Sequence, residues 1–165
     1  MAKLSAGLLL FREGPQRGVE VLLVHPGGPY WARKDDGAWS IPKGEYEPGD
    51  DAAARAEVEF EEELGRAAPP GPRADLGEIR QAGGKRVHAW AVRGDFDADT
   101  VVSNTFELQW PPGSGEVRTF PEVDRAAWFS LDDARVKLLS GQRPLLDRLQ
   151  DLLEHPGSGD PPARS

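Results

Sequence analysis

The sequence is most informative at residues 44–66, GEYEPGDDAAARAEVEFEEELGR. Its inner part, residues 51–64, has no Gly or Pro and is rich in Ala, Glu and Leu, so it predicts a helix. A Pro-Gly-Asp sequence precedes the helix and Gly65 follows it. The acidic residues at its start favour the positive end of the helix dipole, and Gly65 is typical of a helix C-cap.

Three carboxylates share one side of this predicted helix. At about 100° per residue, Glu59, Glu62 and Glu63 fall within an arc of about 100°. Beside that arc runs an apolar stripe formed by Ala53, Ala56, Phe60 and Leu64. Like charges at this spacing repel one another, and a hard cation with oxygen ligands would remove the repulsion. The competing interpretation is a solvated acidic helix face, which fits Glu57 and Glu61 well.

The rest of the chain predicts one α+β domain, residues 1–155, followed by a polar, disordered tail at 156–165. Strands are predicted at 4–12, 19–25, 100–110 and 126–129, a hairpin at 76–93 with Gly83 and Gly84 as a two-residue turn, and helices at 131–140 and 143–154. In the second arm of the hairpin, His88, Trp90 and Val92 share one face. Because strands and helices do not alternate regularly, the sheet is expected to be mixed.

Composition excludes several classes of function. The 20 Lys and Arg against 28 Asp and Glu give a net charge of −8, which repels long nucleic acids and anionic membranes. With no cysteine, thiol nucleophiles, disulfides and Cys-type zinc sites are absent. The apolar runs are too short to span a bilayer and no signal-peptide cleavage site is present, so a cytoplasmic protein is expected. An anionic ligand would need a bridging divalent metal.

Residues 44–66 resemble the signature of the Nudix hydrolases, G-x5-E-x7-R-E-U-x-E-E-x-G-U, where U is a bulky aliphatic residue. The matching positions are Gly44, Glu59, Phe60, Glu62, Glu63 and Gly65. Three positions depart from it, with Asp50 in place of Glu, Val58 in place of Arg, and Arg66 in place of an aliphatic residue. Val58 matters most, because the family arginine pairs with acidic residues of the signature. Arg55, one turn earlier, is the candidate substitute.

The resemblance implies an α/β/α sandwich around a mixed sheet, and hydrolysis of a nucleoside diphosphate linked to another group with Mg²⁺ or Mn²⁺ as cofactor. The implied metal ligands are Glu59, Glu62, Glu63 and the backbone carbonyl of Gly44. For the general base, Glu122, Glu107 and Glu62 acting through metal-bound water remain alternatives.

Substrate recognition outside the signature is less defined. Lys43, Arg33 and Lys34 are candidate phosphate contacts, Trp31 and Trp39, together with Tyr30, are candidates for stacking on a base, and His88 is a candidate substrate contact. Each of these residues also has an ordinary interpretation, as a surface lysine or arginine or as a packed aromatic ring.

Residues 103–129 resemble a bacterial Nudix subgroup described as NTP pyrophosphohydrolases and related to the asymmetrical diadenosine tetraphosphate hydrolases. The expected activity is therefore hydrolysis of a phosphoanhydride bond in dinucleoside polyphosphates or NTPs by an activated water. An ADP-ribose or nucleotide-sugar pyrophosphatase is an alternative, since it would share the metal site. A catalytically weak Nudix fold that binds nucleotides is the other alternative, and Val58 supports it.

Overall fold

The computed structural model describes residues 3–14 and 18–155. The strands are β1 (Leu4–Gly14), β2 (Gly18–Pro26), β3 (Lys43–Tyr46), β4 (Arg73–Arg80), β5 (Arg86–Arg93), β6 (Thr105–Gln109), β7 (Val117–Pro121) and β8 (Val123–Ser130), and the helices are α1 (Ala52–Leu64), α2 (Leu131–Lys137) and α3 (Pro144–Glu154). The tail predicted for 156–165 lies outside the described residues, and so do residues 15–17.

Six strands form one mixed sheet in the order β4-β5-β1-β2-β8, with β3 also paired to β1. The β1–β5 pair is parallel and the other pairs are antiparallel. Strands β6 and β7 form a separate antiparallel pair, which we call the β6–β7 hairpin. The predicted mixed sheet is therefore confirmed.

Helices cover both faces of the sheet. Helix α1 packs Phe60 and Leu64 against one face, with Leu8, Leu10 and Trp90. Helices α2 and α3 cover the other face, where their side chains meet Leu9 and other residues of β1 and β5. Alternate residues of the central strands thus enter two separate cores, as the period of a strand requires. This arrangement is the expected α/β/α sandwich.

Local sequence explains the ends of α1. The Asp51 side chain accepts a hydrogen bond of 3.2 Å from the backbone N–H of Ala54, as an N-cap does. Gly65 ends the helix with φ of 89°, a left-handed conformation that favours glycine. A Cβ at Gly65 would also lie 2.7 Å from the carbonyl oxygen of Val102. The predicted helix and its glycine C-cap are confirmed.

The predicted two-residue turn in the β4–β5 hairpin is wrong. The backbone N–H of Gln81 donates to the carbonyl of Lys85 over 2.7 Å, so the loop comprises three residues, 82–84. Gly83 and Gly84 both adopt positive φ, which explains why glycines occur there but not the length of the loop.

Other element boundaries also differ from the prediction. Strands β3 and β7 were not predicted, because their sequences, KGEY and VRTFP, are short and lack apolar alternation. Strand β8 begins three residues before the predicted strand, and α2 ends three residues early, at Lys137. No helix within residues 3–14 and 18–155 is long and apolar enough to cross a membrane.

Candidate active site

The first element of the site is a close contact between Gly44 on β3 and Glu59 on α1. A Cβ at Gly44 would lie 1.9 Å from Cδ and 2.0 Å from Oε1 of Glu59. The Glu59 side chain is only 14% exposed. Gly44 pairs with Ala6 of the central strand, so this contact is anchored to the sheet. The Glu59 carboxylate therefore lies against the backbone of Gly44, and only glycine leaves it room.

The second element is Glu63, one helical turn further along α1. Its Oε1 accepts a hydrogen bond of 3.3 Å from the backbone N–H of Lys43. Burial raises the pKa of Glu63 to about 8, although the nearby Lys43 ammonium acts in the opposite direction. Burial likewise lowers the pKa of Lys43. Burial thus disfavours the ionised form of Glu63, and a bound cation would favour it.

Glu62 and Glu122 complete the acidic group. Burial raises the pKa of Glu59, and the negative charge of Glu62 raises it further. The charge of Glu122 raises the pKa of both Glu59 and Glu63. The loop residue Asn104 connects the two more exposed members, since its backbone N–H donates to the Glu62 carbonyl and its own carbonyl accepts from the Glu122 N–H. The structure therefore brings Glu122 next to the carboxylate cluster, by which we mean Glu59, Glu62 and Glu63.

A cavity of about 250 Å³ opens beside Glu63; we call it the first cavity. Its lining includes Trp31, Lys43, Glu63, Lys85 and Glu122. Lys85 also lies close enough for its charge to lower the pKa of Lys43. Two lysines and two glutamates thus meet at one cleft, which suits a phosphate group accompanied by a cation.

Sequence reasoning missed Lys85 and Gln81, which enter this cavity from the two ends of the β4–β5 loop. Nothing in the local pattern marks either residue, because their place in the cleft follows from the pairing of β5 with β1.

A second cavity, of about 300 Å³, adjoins the first and is lined by Pro26, Gly27, Gly28, Pro29, Tyr30, Trp31, Phe106, Leu108 and Glu122.

The profile of the NUDIX domain matches residues 1–149, which is most of the chain. The chain belongs to the Nudix hydrolase family. A relative named 8-oxo-(d)GTP phosphatase, from Mycolicibacterium smegmatis, is 34% identical over 122 residues, 66% of this chain. The match covers 34% of that protein, so the chain spans about a third of the length of this curated relative.

Two solved Nudix structures illustrate the likeness of fold. The Ap4A hydrolase of C. elegans, as a binary complex, superposes with a TM-score of 0.61 at 22% identity, covering 93% of this chain and 98% of that one. The NUDIX domain of Shewanella oneidensis NrtR, complexed with ADP ribose, gives 0.63 at 16% identity, covering 93% and 89%. At these identities the likeness concerns the fold alone.

Nudix hydrolases in general use divalent metal ions, and the donor set here fits such an ion in chemistry. The three clustered glutamates supply hard oxygen donors, and burial raises the pKa values of Glu59 and Glu63, which a bound cation would lower again. Within residues 3–14 and 18–155, however, no three Asp, Glu, His or Cys side chains lie close enough together, in the conformations observed, to coordinate one metal ion. The ligand set of Gly44, Glu59, Glu62 and Glu63 therefore stays a prediction.

Arg55, the candidate substitute for the missing signature arginine, lies beside Glu59. Its Nε lies 3.5 Å from Oε2 of Glu59, one helical turn away, and donates to the carbonyl of Glu45 over 3.4 Å. Val58, at the signature position, is 42% exposed on the outer side of α1. A guanidinium group therefore lies beside Glu59, although it comes from position 55 and not from the signature position 58.

Trp39 is wrong as a base-stacking residue, because its ring belongs to the core. Only 4% of it is exposed, and its indole N–H donates to Asp35 over 2.8 Å. Its ring packs edge-on against His25 and Phe129. By contrast Trp31, also predicted to stack, is half-buried and lines both cavities.

Of the predicted metal ligands, Gly44, Glu59 and Glu62 do not line either cavity, and Glu62 lies beside Asn104 on the neighbouring surface. Four further predicted site residues, which are not metal ligands, also lie outside both cavities. His88 stacks on Trp90 with ring centroids 4.1 Å apart and contacts Asp75 over 2.7 Å, so its ring is engaged within the fold. Arg33 and Lys34 are exposed on the loop after β2. Glu107 is exposed on β6 between Phe106 and Leu108, which line the second cavity, and therefore points to the other side of the hairpin.

Proposed function

We propose that this Nudix domain hydrolyses a phosphoanhydride bond of a nucleoside polyphosphate, either a dinucleoside polyphosphate or an NTP, with Mg²⁺ or Mn²⁺. The observation that carries the proposal is the packing of the carboxylate cluster on β3, with Glu59 against Gly44 and Glu63 on the Lys43 N–H, at the mouth of a cleft. The partner is a small nucleotide, and no long nucleic acid or membrane is involved.

The residues divide the chemistry among themselves. Glu59, Glu62, Glu63 and the Gly44 carbonyl would hold the cation, which when bound neutralises phosphate charge and lowers the pKa of water. Lys43 and Lys85 supply the remaining positive charge to the phosphate chain. Glu122, which lines the first cavity, would accept the proton of the attacking water, and Glu62 is the alternative base.

A hydrolysis panel with product analysis tests the proposal. The substrates are diadenosine tetraphosphate, ATP, 8-oxo-dGTP, ADP-ribose and UDP-glucose, each with Mg²⁺ or Mn²⁺ titrated from zero. We expect metal-dependent turnover of at least one of the first three. Turnover of ADP-ribose or UDP-glucose alone would replace the proposal with the pyrophosphatase alternative. Calorimetric binding without any turnover would identify a nucleotide-binding module.

Substitution of the glutamates tests their roles. Glu62→Gln or Glu63→Gln should lower kcat at least 10²-fold, equivalent to about 2.7 kcal/mol of barrier. Glu61→Gln, on the exposed side of the same helix, is the matched control and should leave kcat unchanged.

The two candidate bases outside the signature can be compared in the same way. Glu122→Gln should lower kcat and remove the acidic limb of the pH–rate profile, because a general base acts only when deprotonated. Glu107→Gln should do neither, since Glu107 faces away from the cavity. The reverse pattern would assign the base to Glu107.

A further inference from the structure

The active-site cleft has two compartments, the first and second cavities described above, which meet at Trp31. The first and second cavities share Pro26, Trp31 and Glu122 among their lining residues. The Trp31 side chain is therefore a common wall, and Glu122 stands at the junction. A single ligand can extend from one compartment into the other past the carboxylate of Glu122.

The second compartment is suited to an uncharged, flat group. Of its nine lining residues only Glu122 is charged, and aromatic or aliphatic side chains from two segments form its sides. Tyr30 and Trp31 come from the loop after β2, and Phe106 and Leu108 come from β6. Aromatic side chains of this kind stack on nucleobases irrespective of base identity.

The β6–β7 hairpin closes this compartment because two glycines let it approach. A Cβ at Gly27 would lie 2.0 Å from the Pro121 carbonyl oxygen, and a Cβ at Gly28 would lie 2.9 Å from Cζ of Phe106. Beyond them, the rings of Tyr30 and Trp110 meet edge to face at 5.2 Å. The compartment is thus a built contact between the loop and the hairpin.

The first compartment combines a charged mouth with an apolar interior. Lys43, Glu63 and Lys85 line it together with Val24, Ala38, Ile41 and Leu139. A ring can therefore occupy this side of Trp31 as well, next to the polar groups of Ser40 and Gln81. The cleft accordingly has an apolar compartment on each side of Trp31, and the charged groups of Lys43, Glu63 and Lys85 line the first of them.

We propose that the second compartment binds the second nucleobase of a dinucleoside polyphosphate, and that Phe106 and Leu108 of the β6–β7 hairpin are specificity-determining residues. A substrate with a ring at each end of its phosphate chain occupies both compartments, whereas an NTP occupies only the first. This inference rests on the proposed function and names the substrate class of the same site.

The test compares two nucleotides on four variants. Phe106→Ala should raise KM for diadenosine tetraphosphate about tenfold, the effect of losing one stacked base, and leave KM for ATP unchanged. Leu108→Ala, which keeps the Phe106–Phe120 ring contact, should act in the same direction. Val117→Ala changes an exposed residue of the same hairpin and is the matched control. Phe106→Tyr should restore binding.

Calorimetry with the same nucleotides measures affinity without turnover. If neither nucleotide is hydrolysed but the variants lose affinity for diadenosine tetraphosphate alone, the proposed function fails and the subsite stands. If the variants lose affinity for ATP and diadenosine tetraphosphate equally, the second compartment binds the base of ATP as well, and the inference is overturned. Unchanged affinity for both nucleotides in Phe106→Ala and Leu108→Ala overturns it as well.

Discussion

Gly44 is the residue on which the position of Glu59 depends most directly. In Gly44→Ala the new Cβ would lie within 2.0 Å of Oε1 of Glu59, so the carboxylate must move away from β3. We expect kcat to fall about 10²-fold, as misplacement by about an ångström does at other active sites. The free energy of unfolding should fall by about 1–3 kcal/mol, as with other overpacked sites. Steady-state kinetics and urea denaturation measure both effects.

Gly14 offers a matched control for this substitution. A Cβ at Gly14 would lie 2.6 Å from Cδ of Glu20, so Gly14→Ala also crowds a glutamate, at the opposite end of β1. It should reduce stability without reducing kcat. An equal loss of kcat in both variants would show that crowding acts through general stability and not through Glu59.

Arg55 and Val58 together test how the helix replaces the signature arginine. Arg55→Ala removes the cation 3.5 Å from Glu59 and should lower kcat/KM about tenfold. Val58→Arg should change activity less than about threefold, because Glu59 already has a partner at one helical turn. In the double variant, Val58→Arg should recover most of the loss. A large gain from Val58→Arg alone would instead show that Arg55 is an incomplete substitute.

Individual residues of the site were predictable to different degrees. Glu59, Glu62 and Glu63 could be identified because helix periodicity places them on one side of α1 without any long-range information. Trp39 could not be assigned correctly, since a tryptophan in a Gly- and Pro-rich loop has the same local sequence whether its ring faces the core or the cleft. The roles of the glutamates stay predictions until metal binding and turnover are measured.

At the level of elements, α1 was predicted nearly to the residue because its caps are local. Asp51 and Gly65 act within one turn of the helix ends, so the sequence contains the whole signal. Strands β3 and β7 were missed because each exists through pairing with a partner strand. Their residues are exposed or half-buried and leave no periodic apolar pattern. The second cavity was missed for the same reason, since the hairpin that closes it includes β7.

His25 joins two elements near the cleft. The fully buried ring lies on β2, with Nδ1 2.9 Å from Oδ1 of Asp124 on β8 and Nε2 2.6 Å from the carbonyl oxygen of Lys34 in the following loop. This loop carries Trp31. His25→Leu removes the ring nitrogens that contact the Asp124 carboxylate and the Lys34 carbonyl oxygen, so it should lower the free energy of unfolding by about 2 kcal/mol. It should also raise KM, because Trp31 loses its anchored loop.

The control for His25 is His155→Leu, which makes the same chemical change on an exposed residue at the end of α3. Exposed interactions of this kind contribute little, so denaturant unfolding should show a change below about 0.5 kcal/mol. If His25→Leu is equally mild, the ring does not connect the loop to the sheet.

At the scale of the whole molecule, the net charge of −8 has a local meaning. The charge repels long polyanions, but part of it is gathered at one end of α1, where Glu59, Glu63 and Glu122 repel one another. The lysines of the first cavity lie beside that group. We therefore expect this acidic domain to bind a short polyphosphate at this place only when cations accompany it.

The stability of the whole domain should therefore depend on pH through Glu63. Burial raises the pKa of Glu63 from 4.5 to about 8 in the folded protein, so between these values the folded state keeps a proton that the unfolded state has released. Without divalent metal, this residue makes the free energy of unfolding fall as pH rises from 5 to 8. Glu63→Gln keeps an acceptor for the Lys43 N–H and removes the titration, so its free energy of unfolding relative to the wild type should rise by about 3–4 kcal/mol between pH 5 and pH 8.

Chemical denaturation at several pH values measures this difference, with Glu61→Gln on the exposed face as the control that should match the wild type throughout. Parallel curves for Glu63→Gln and wild type would mean that Glu63 ionises without cost in the fold. Added Mn²⁺ or Mg²⁺ should narrow the gap at pH 8, because a cation bound to the carboxylate stabilises its ionised form. The gap should persist in chelator-treated samples free of Mg²⁺ and Mn²⁺, so that one experiment connects the buried glutamate, the pH dependence and the proposed cation.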